Sequence, residues 1–60
     1  MTTLLAQAPH TFRSMLLHEH EKRPELGLHE LCHRVEGAFN RKDYHALLAW
    51  ADAAARRAAA

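Results

Sequence analysis

The segment HELCH, residues His29 to His33, is the part of this 60-residue sequence whose residue types and spacing could do chemistry. Two histidines at i and i+4 lie on one face of a helix, where both imidazoles can hold a zinc ion. A glutamate between them can act as a general base on a metal-bound water. His29, Glu30 and His33 meet this requirement, so the pattern raises the hypothesis of a hydrolytic zinc site.

The rest of the sequence argues against hydrolysis. A catalytic zinc ion needs a third protein ligand. The extended form of the pattern would place glycine at 36 and histidine at 39, where the chain has Glu36 and Phe39. Asp52 is only a formal downstream candidate. Six histidines among 60 residues also make a chance match easier. We therefore expect no enzyme and no catalytic residues.

A structural metal site stays open as an alternative. His29, Cys32, His33 and Glu36 recur across successive turns of one predicted helix and are ligand types that bind zinc. Two such faces in a dimer would complete a four-ligand site. The interpretation we favour makes Cys32 a small residue at the edge of the core and leaves the histidines on the surface. On that interpretation the protein needs no cofactor.

Length and composition indicate one small domain, residues 1–60. A chain of this size buries only about 60% of the surface that its unfolded form exposes, so its core is thin. Cys32 is the only cysteine, which excludes an intrachain disulfide and favours a reducing compartment, the cytoplasm. The opening residues lack the features of a secretory signal, and no stretch approaches the roughly 18 apolar residues of a membrane span.

Periodicity and helix breakers predict an all-α fold. Pro24 ends the first helix, because the residue before a proline is pushed out of the helical region. Asp43 is the expected N-cap of the third helix. We leave open whether residues 1–8 are ordered or flexible. The three predicted helices cover residues 9–22, 28–40 and 44–58.

Each predicted helix has an apolar stripe at helical spacing. Because only a short connection joins the second and third helices, we expect them to form an antiparallel hairpin covered by the first. The third helix is rich in alanine, which favours helix but buries little area. The thin core therefore predicts a homodimer. The stripes are Phe12, Met15 and Leu16, then Leu28, Leu31, Val35 and Phe39, then Tyr44, Leu47, Leu48, Ala51, Ala54, Ala55 and Ala58.

Residues 35–55 resemble a single tetratricopeptide-type unit. In that family a small and an aromatic residue precede a short turn ending in Asp-Tyr, and small residues recur along the following helix. The resemblance implies a helical hairpin used for protein contact. The matching residues are Ala38, Phe39, Asp43, Tyr44, Ala51 and Ala54.

The residue types for partner recognition are Trp, Tyr and Arg, which are frequent hot spots of interfaces. We expect a non-enzymatic regulator or inhibitor that occupies a surface of a larger bacterial protein. Phage and bacterial anti-activators act in this way on a transcription factor, a motor ATPase or a defence complex. The predicted contact residues are Arg41, Tyr44, Trp50, Arg57 and Leu17.

The alternative functions are a zinc-binding protein that uses HELCH and a small DNA-binding regulator. In the DNA-binding alternative, Arg41, Lys42, Arg56 and Arg57 would contact DNA. The formal net charge of +1 is too balanced for an electrostatic footprint on nucleic acid. The third helix also offers alanine and aspartate where a recognition helix offers base-reading side chains.

Chelation separates the metal alternative from the others. We expect light scattering after size-exclusion chromatography to give a dimer mass that is the same with and without EDTA, because helix packing rather than metal would hold the chains together. Dissociation or unfolding in EDTA would instead assign the histidines to a metal.

Overall fold

The structure, a computed structural model, describes residues 1–59 and is all-helical. The all-α prediction is confirmed, and no strand occurs in the described range. None of the helices in that range has the length and apolar character needed to cross a bilayer. The elements are α1 (Thr2–Leu5), α2 (His10–Lys22), α3 (Leu28–Arg34), a 3-10 helix (Glu36–Ala38) and α4 (Arg41–Ala59).

One leucine from each α-helix is fully enclosed in the core. Leu5, Leu16, Leu31 and Leu47 each have 0% exposure. They belong to one cluster of buried residues, and partly buried apolar side chains pack around that cluster. The other buried members are Ala8, Phe12, Leu28, Cys32, Val35, Ala51 and Ala54.

The N-terminal segment packs on this core. Leu5 and Ala8 are fully buried, so α1 contributes to the core although it has only 4 residues. The guanidinium of Arg13 donates two hydrogen bonds to the Ala8 carbonyl, at 3.1 Å from Nε and 3.0 Å from Nη2. These bonds attach the end of the segment to α2 where the chain turns at Pro9.

The first predicted helix matches α2 closely. The helix begins one residue later than predicted, because Pro9 has ψ 142° and is the N-cap. Phe12 and Leu16 are buried as expected, but Met15 is 38% exposed. Placing Met15 in the stripe was wrong, since residues 12 and 16 define the buried line and residue 15 lies about 80° from the midpoint between them.

The second predicted helix is too long by about a turn and a half. α3 ends at Arg34, and the chain continues as a 3-10 helix around Gly37. Glycine costs roughly 1 kcal/mol in a helix interior. Phe39 has extended backbone, φ −128° and ψ 156°, and its ring meets Phe12 edge-on at 5.0 Å between centroids. An aromatic pair of this kind stabilises by about 0.5–1.5 kcal/mol. The contact favours the tight turn over a continued helix.

The third predicted helix begins too late. Its first turn is capped by Asn40, whose side-chain Oδ1 accepts a hydrogen bond from the Asp43 N–H at 2.8 Å. The N-cap assignment of Asp43 was therefore wrong. Asparagine is as good an N-cap as aspartate. Asp43 instead lies inside the first turn, where its charge complements the positive end of the helix dipole.

The C-terminal part of α4 extends past its neighbours. At about 1.5 Å per residue, the 19 residues of α4 span about 28 Å, whereas the 7 residues of α3 span about 10 Å. Leu47, Ala51 and Ala54 are buried, but Ala55 and Ala58 are exposed. Placing these last two alanines in the buried stripe was wrong, because no helix of the described chain covers the end of α4.

The two candidate caps of α4 respond differently to substitution. We expect Asn40→Ala to lower the free energy of unfolding by about 1 kcal/mol at any salt concentration, because an amide hydrogen bond is lost. Asp43→Ala should cost about 0.3–1 kcal/mol at low ionic strength and much less in 1 M NaCl, where the Debye length is about 3 Å. Urea titrations at both salt concentrations measure the difference. A larger loss of stability with Asp43→Ala than with Asn40→Ala in 1 M NaCl would reverse the cap assignment.

Candidate functional site

The glutamate of HELCH has a structural role at the start of α3. Gly27 is the residue before the helix, and its N–H donates to Glu30 Oε1 at 3.1 Å. Glutamate at the third helical position commonly accepts from the N-cap N–H in this way. In this conformation one carboxylate oxygen of Glu30 accepts a backbone hydrogen bond, which is a helix-capping role.

The histidines of HELCH contact different carboxylates. His29 Nε2 lies 2.7 Å from Asp52 Oδ1, which joins α3 to α4, and the side chains are 51% and 57% exposed. His33 Nδ1 lies 3.2 Å from Glu36 Oε1 within the same segment. Exposed pairs of this kind stabilise by about 0–1 kcal/mol. Asp52, the residue considered as a third zinc ligand, thus contacts only one of the two histidines.

Cys32 is separated from these polar groups by burial. Its side chain has 0% exposure. Desolvation, together with the charge of Asp52, raises the pKa of the thiol from 9.0 to about 11. The thiol is therefore protonated near neutral pH in the metal-free chain. No three His, Cys, Asp or Glu side chains within residues 1–59 come together as a metal-binding group.

The predicted contact residues fall on separate surfaces. At about 100° per residue, Arg41 and Trp50 lie about 180° apart around α4, and Arg57 lies on the Trp50 side. Leu17 is on α2, where it is partly buried. Arg41 and Tyr44 remain together. The single contact surface that combined all five residues is therefore divided into at least two.

Arg41 and Tyr44 line an open groove of about 630 Å³ between the N-terminal half of α4 and the turn that precedes it. Phe39, Tyr44 and Leu48 are partly buried and pack on the core, so they supply apolar surface. We call this feature the α4 groove. Its lining residues are Glu36, Gly37, Phe39, Asn40, Arg41, Tyr44, His45 and Leu48.

The polar side chains of the α4 groove differ in how they are paired. Glu36 is close to His33, whereas Arg41 is exposed and forms no ion pair with any residue in the range 1–59. The Tyr44 phenol is protonated at neutral pH, and desolvation and the charge of Glu36 raise its pKa further. The groove therefore offers the Arg41 guanidinium and the Tyr44 hydroxyl as hydrogen-bond donors next to apolar surface.

Sequence reasoning missed a partly enclosed polar contact between α2 and α3. Glu19 is only 16% exposed and lies 3.7 Å from both Lys22 Nζ and Arg34 Nε. The whole segment from His18 to Arg23 resembles a solvated helix end in the sequence, because every residue in it is polar. Glu19 differs from its neighbours because it lies beside Arg34 of α3. That tertiary contact cannot be predicted from the local sequence.

Comparisons with known proteins found no similarity. No family model, no curated protein and no solved structure matches the chain. Residues 35–55 resemble a tetratricopeptide-type unit in sequence pattern but differ from it in local structure. Ala38 and Phe39, which that unit would place on its first helix, lie in a 3-10 turn and in extended backbone.

The buried thiol makes a pH-dependent prediction. Folding raises the pKa of Cys32 from 9.0 to about 11, so its contribution to stability is intact below about pH 9 and is lost as the pH rises towards 11. We expect the urea midpoint of the wild type to fall over this interval more steeply than that of Cys32→Ala, which has no thiol to ionise. Parallel pH profiles for the two proteins would contradict a buried, protonated thiol.

Proposed function

We propose that this chain is a small, non-enzymatic regulator that binds a larger protein through the α4 groove. The observation that supports this is the combination of partly exposed Phe39, Tyr44 and Leu48 with the unpaired cation of Arg41. Tyrosine and arginine beside apolar surface are typical of interface hot spots. The larger target would be a bacterial protein such as a transcription factor, a motor ATPase or a defence complex. The single reduced cysteine favours the cytoplasm as the site of action.

Two finer features belong to the same proposal. Helices α3 and α4 pack on each other and form the antiparallel hairpin. The chain associates as a homodimer, which would add buried area to a thin core. The exposed end of α4, with Ala55 and Ala58, is the surface that a second copy could approach closely. The light-scattering measurement with and without EDTA tests this association.

A capture experiment with matched variants tests the function. The tagged chain is incubated with extract of the cells that produce it, and retained proteins are quantified by mass spectrometry. We expect a partner that wild type retains and that Arg41→Ala and Tyr44→Ala lose at least about tenfold, because hot-spot truncation costs 2 kcal/mol or more. Lys42→Ala is the matched control, since Lys42 is exposed and adjacent but does not line the groove.

Two further variants test the second part of the divided surface. Trp50→Ala and Arg57→Ala remove side chains on the other side of α4, and Trp50, like Tyr44, also packs against the core. Circular dichroism must therefore show unchanged helix content before a loss of binding is assigned to contact. A partner lost only with Trp50→Ala or Arg57→Ala would move the binding surface away from the α4 groove. Equal retention by all variants would contradict the proposed function.

A further inference from the structure

The size and the apolar lining of the α4 groove suit a convex apolar ligand. Its volume of about 630 Å³ lies within the usual range for binding pockets, about 300–1,000 Å³. The groove is open along one side, and its apolar residues Tyr44 and Leu48 follow one another at i and i+4 along α4. An open groove of this kind accommodates a helix that presents apolar side chains at i, i+3 or i+4, and i+7.

Gly37 lines the groove without a side chain that could fill it. A Cβ atom built at Gly37 would meet no atom within 4 Å, and its backbone is not in the left-handed region. A side chain is therefore compatible with the local backbone and would enter open space beside the groove. The glycine leaves room for an occupant, and a larger residue at this position would compete with that occupant without disturbing the core.

Arg41 is the one guanidinium on the rim of the groove and offers a place for an acidic group of the occupant. The carboxylate of Glu36 has the His33 imidazole at 3.2 Å, whereas the guanidinium of Arg41 has no carboxylate partner within the described residues. Arg41 is also the first residue of the 19-residue helix α4, whose N-terminus carries a partial positive charge. An arginine in this position is suited to a carboxylate, with which its planar fork forms paired hydrogen bonds.

We propose that the α4 groove binds an acidic amphipathic helix of the partner protein. Two or three apolar side chains of that helix contact Phe39, Tyr44 and Leu48, and a carboxylate one turn away pairs with Arg41. This inference rests on the proposed function and adds the chemistry of the partner to it. Nucleic acid fits less well, because a single unpaired arginine next to Glu36 does not form the basic patch that phosphates require.

A displayed library of helical peptides tests the chemistry of the partner. Every member carries apolar residues at i, i+4 and i+7, drawn from Leu, Ile, Phe and Met, and Glu, Gln or Lys at flanking positions. Selection against the wild-type chain should enrich Glu over Lys at one flanking position. The enriched peptide is then synthesised with Glu or with Lys at that position, and each form is titrated by fluorescence anisotropy. We expect the Lys form to bind about tenfold more weakly.

Three variants of the chain connect this preference to the groove. Arg41→Glu should reverse the preference between the Glu and Lys peptides, and Lys42→Glu should leave it unchanged. Both variants place glutamate in the first turn of α4, so their effects on helix stability are matched. Gly37→Leu should weaken both peptides. Amide shifts in NMR spectra should concentrate at Gly37, Tyr44 and Leu48 rather than near Trp50.

Several results would overturn this inference. One is the absence of any peptide enriched above a blank surface, and another is a preference for Lys or Gln. A preference that Arg41→Glu does not alter, or amide shifts confined to the Trp50 side of α4, would also do so. A dimer that Arg41→Glu dissociates would place a second copy of the chain in the groove instead.

The two experiments separate this inference from the function on which it rests. Suppose that Arg41→Ala loses a cellular partner but the library yields no acidic peptide. The proposed function would then stand, and only the inference of an acidic helix would be wrong. An acidic peptide that binds the groove, combined with no Arg41-dependent cellular partner, would remove the proposed function.

Discussion

The fold depends on a single cluster that no helix can form alone. Leu5, Leu16, Leu31 and Leu47 come from four different helices and are all fully buried. A helix of 4 or 7 residues is too short to be stable in water without tertiary packing. The helices are therefore held by their shared contacts, and loss of any one leucine would leave a cavity costing about 2–5 kcal/mol. That is a large part of the stability of so small a domain.

The sequence predicted α2 almost to the residue, because a proline lies next to each of its ends and its apolar residues recur at helical spacing. The second half of the chain shows the limit of such signals. Asn40 and Asp43 are both good N-caps, and only the observed hydrogen bond decides between them. The end of α3 depends on a long-range contact between Phe12 and Phe39. The burial of Leu5 could not be predicted either, because a short N-terminal segment has no periodicity to interpret.

The two histidines and the glutamate of HELCH are each paired with a different residue of the structure. Glu30 accepts a backbone hydrogen bond from Gly27, while His29 and His33 contact different carboxylates. These partners lie outside the five-residue pattern. The α4 groove includes residues that no motif marked. Arg41 and Tyr44 were identified by residue type, whereas Gly37, Phe39 and Asn40 of the preceding turn line the same groove and were not predicted as part of a site.

Phe39 belongs both to the wall of the α4 groove and to the contact with Phe12 that links α2 to the turn after α3. A ligand that binds the folded chain and not the unfolded chain adds RT ln(1 + [L]/Kd) to stability, about 2.7 kcal/mol at one hundred times Kd. For a domain with so thin a core this is a large increment. Unfolded protein is removed by cellular proteases, so under the proposed function the amount of this chain in a cell would follow the amount of the protein that binds the groove.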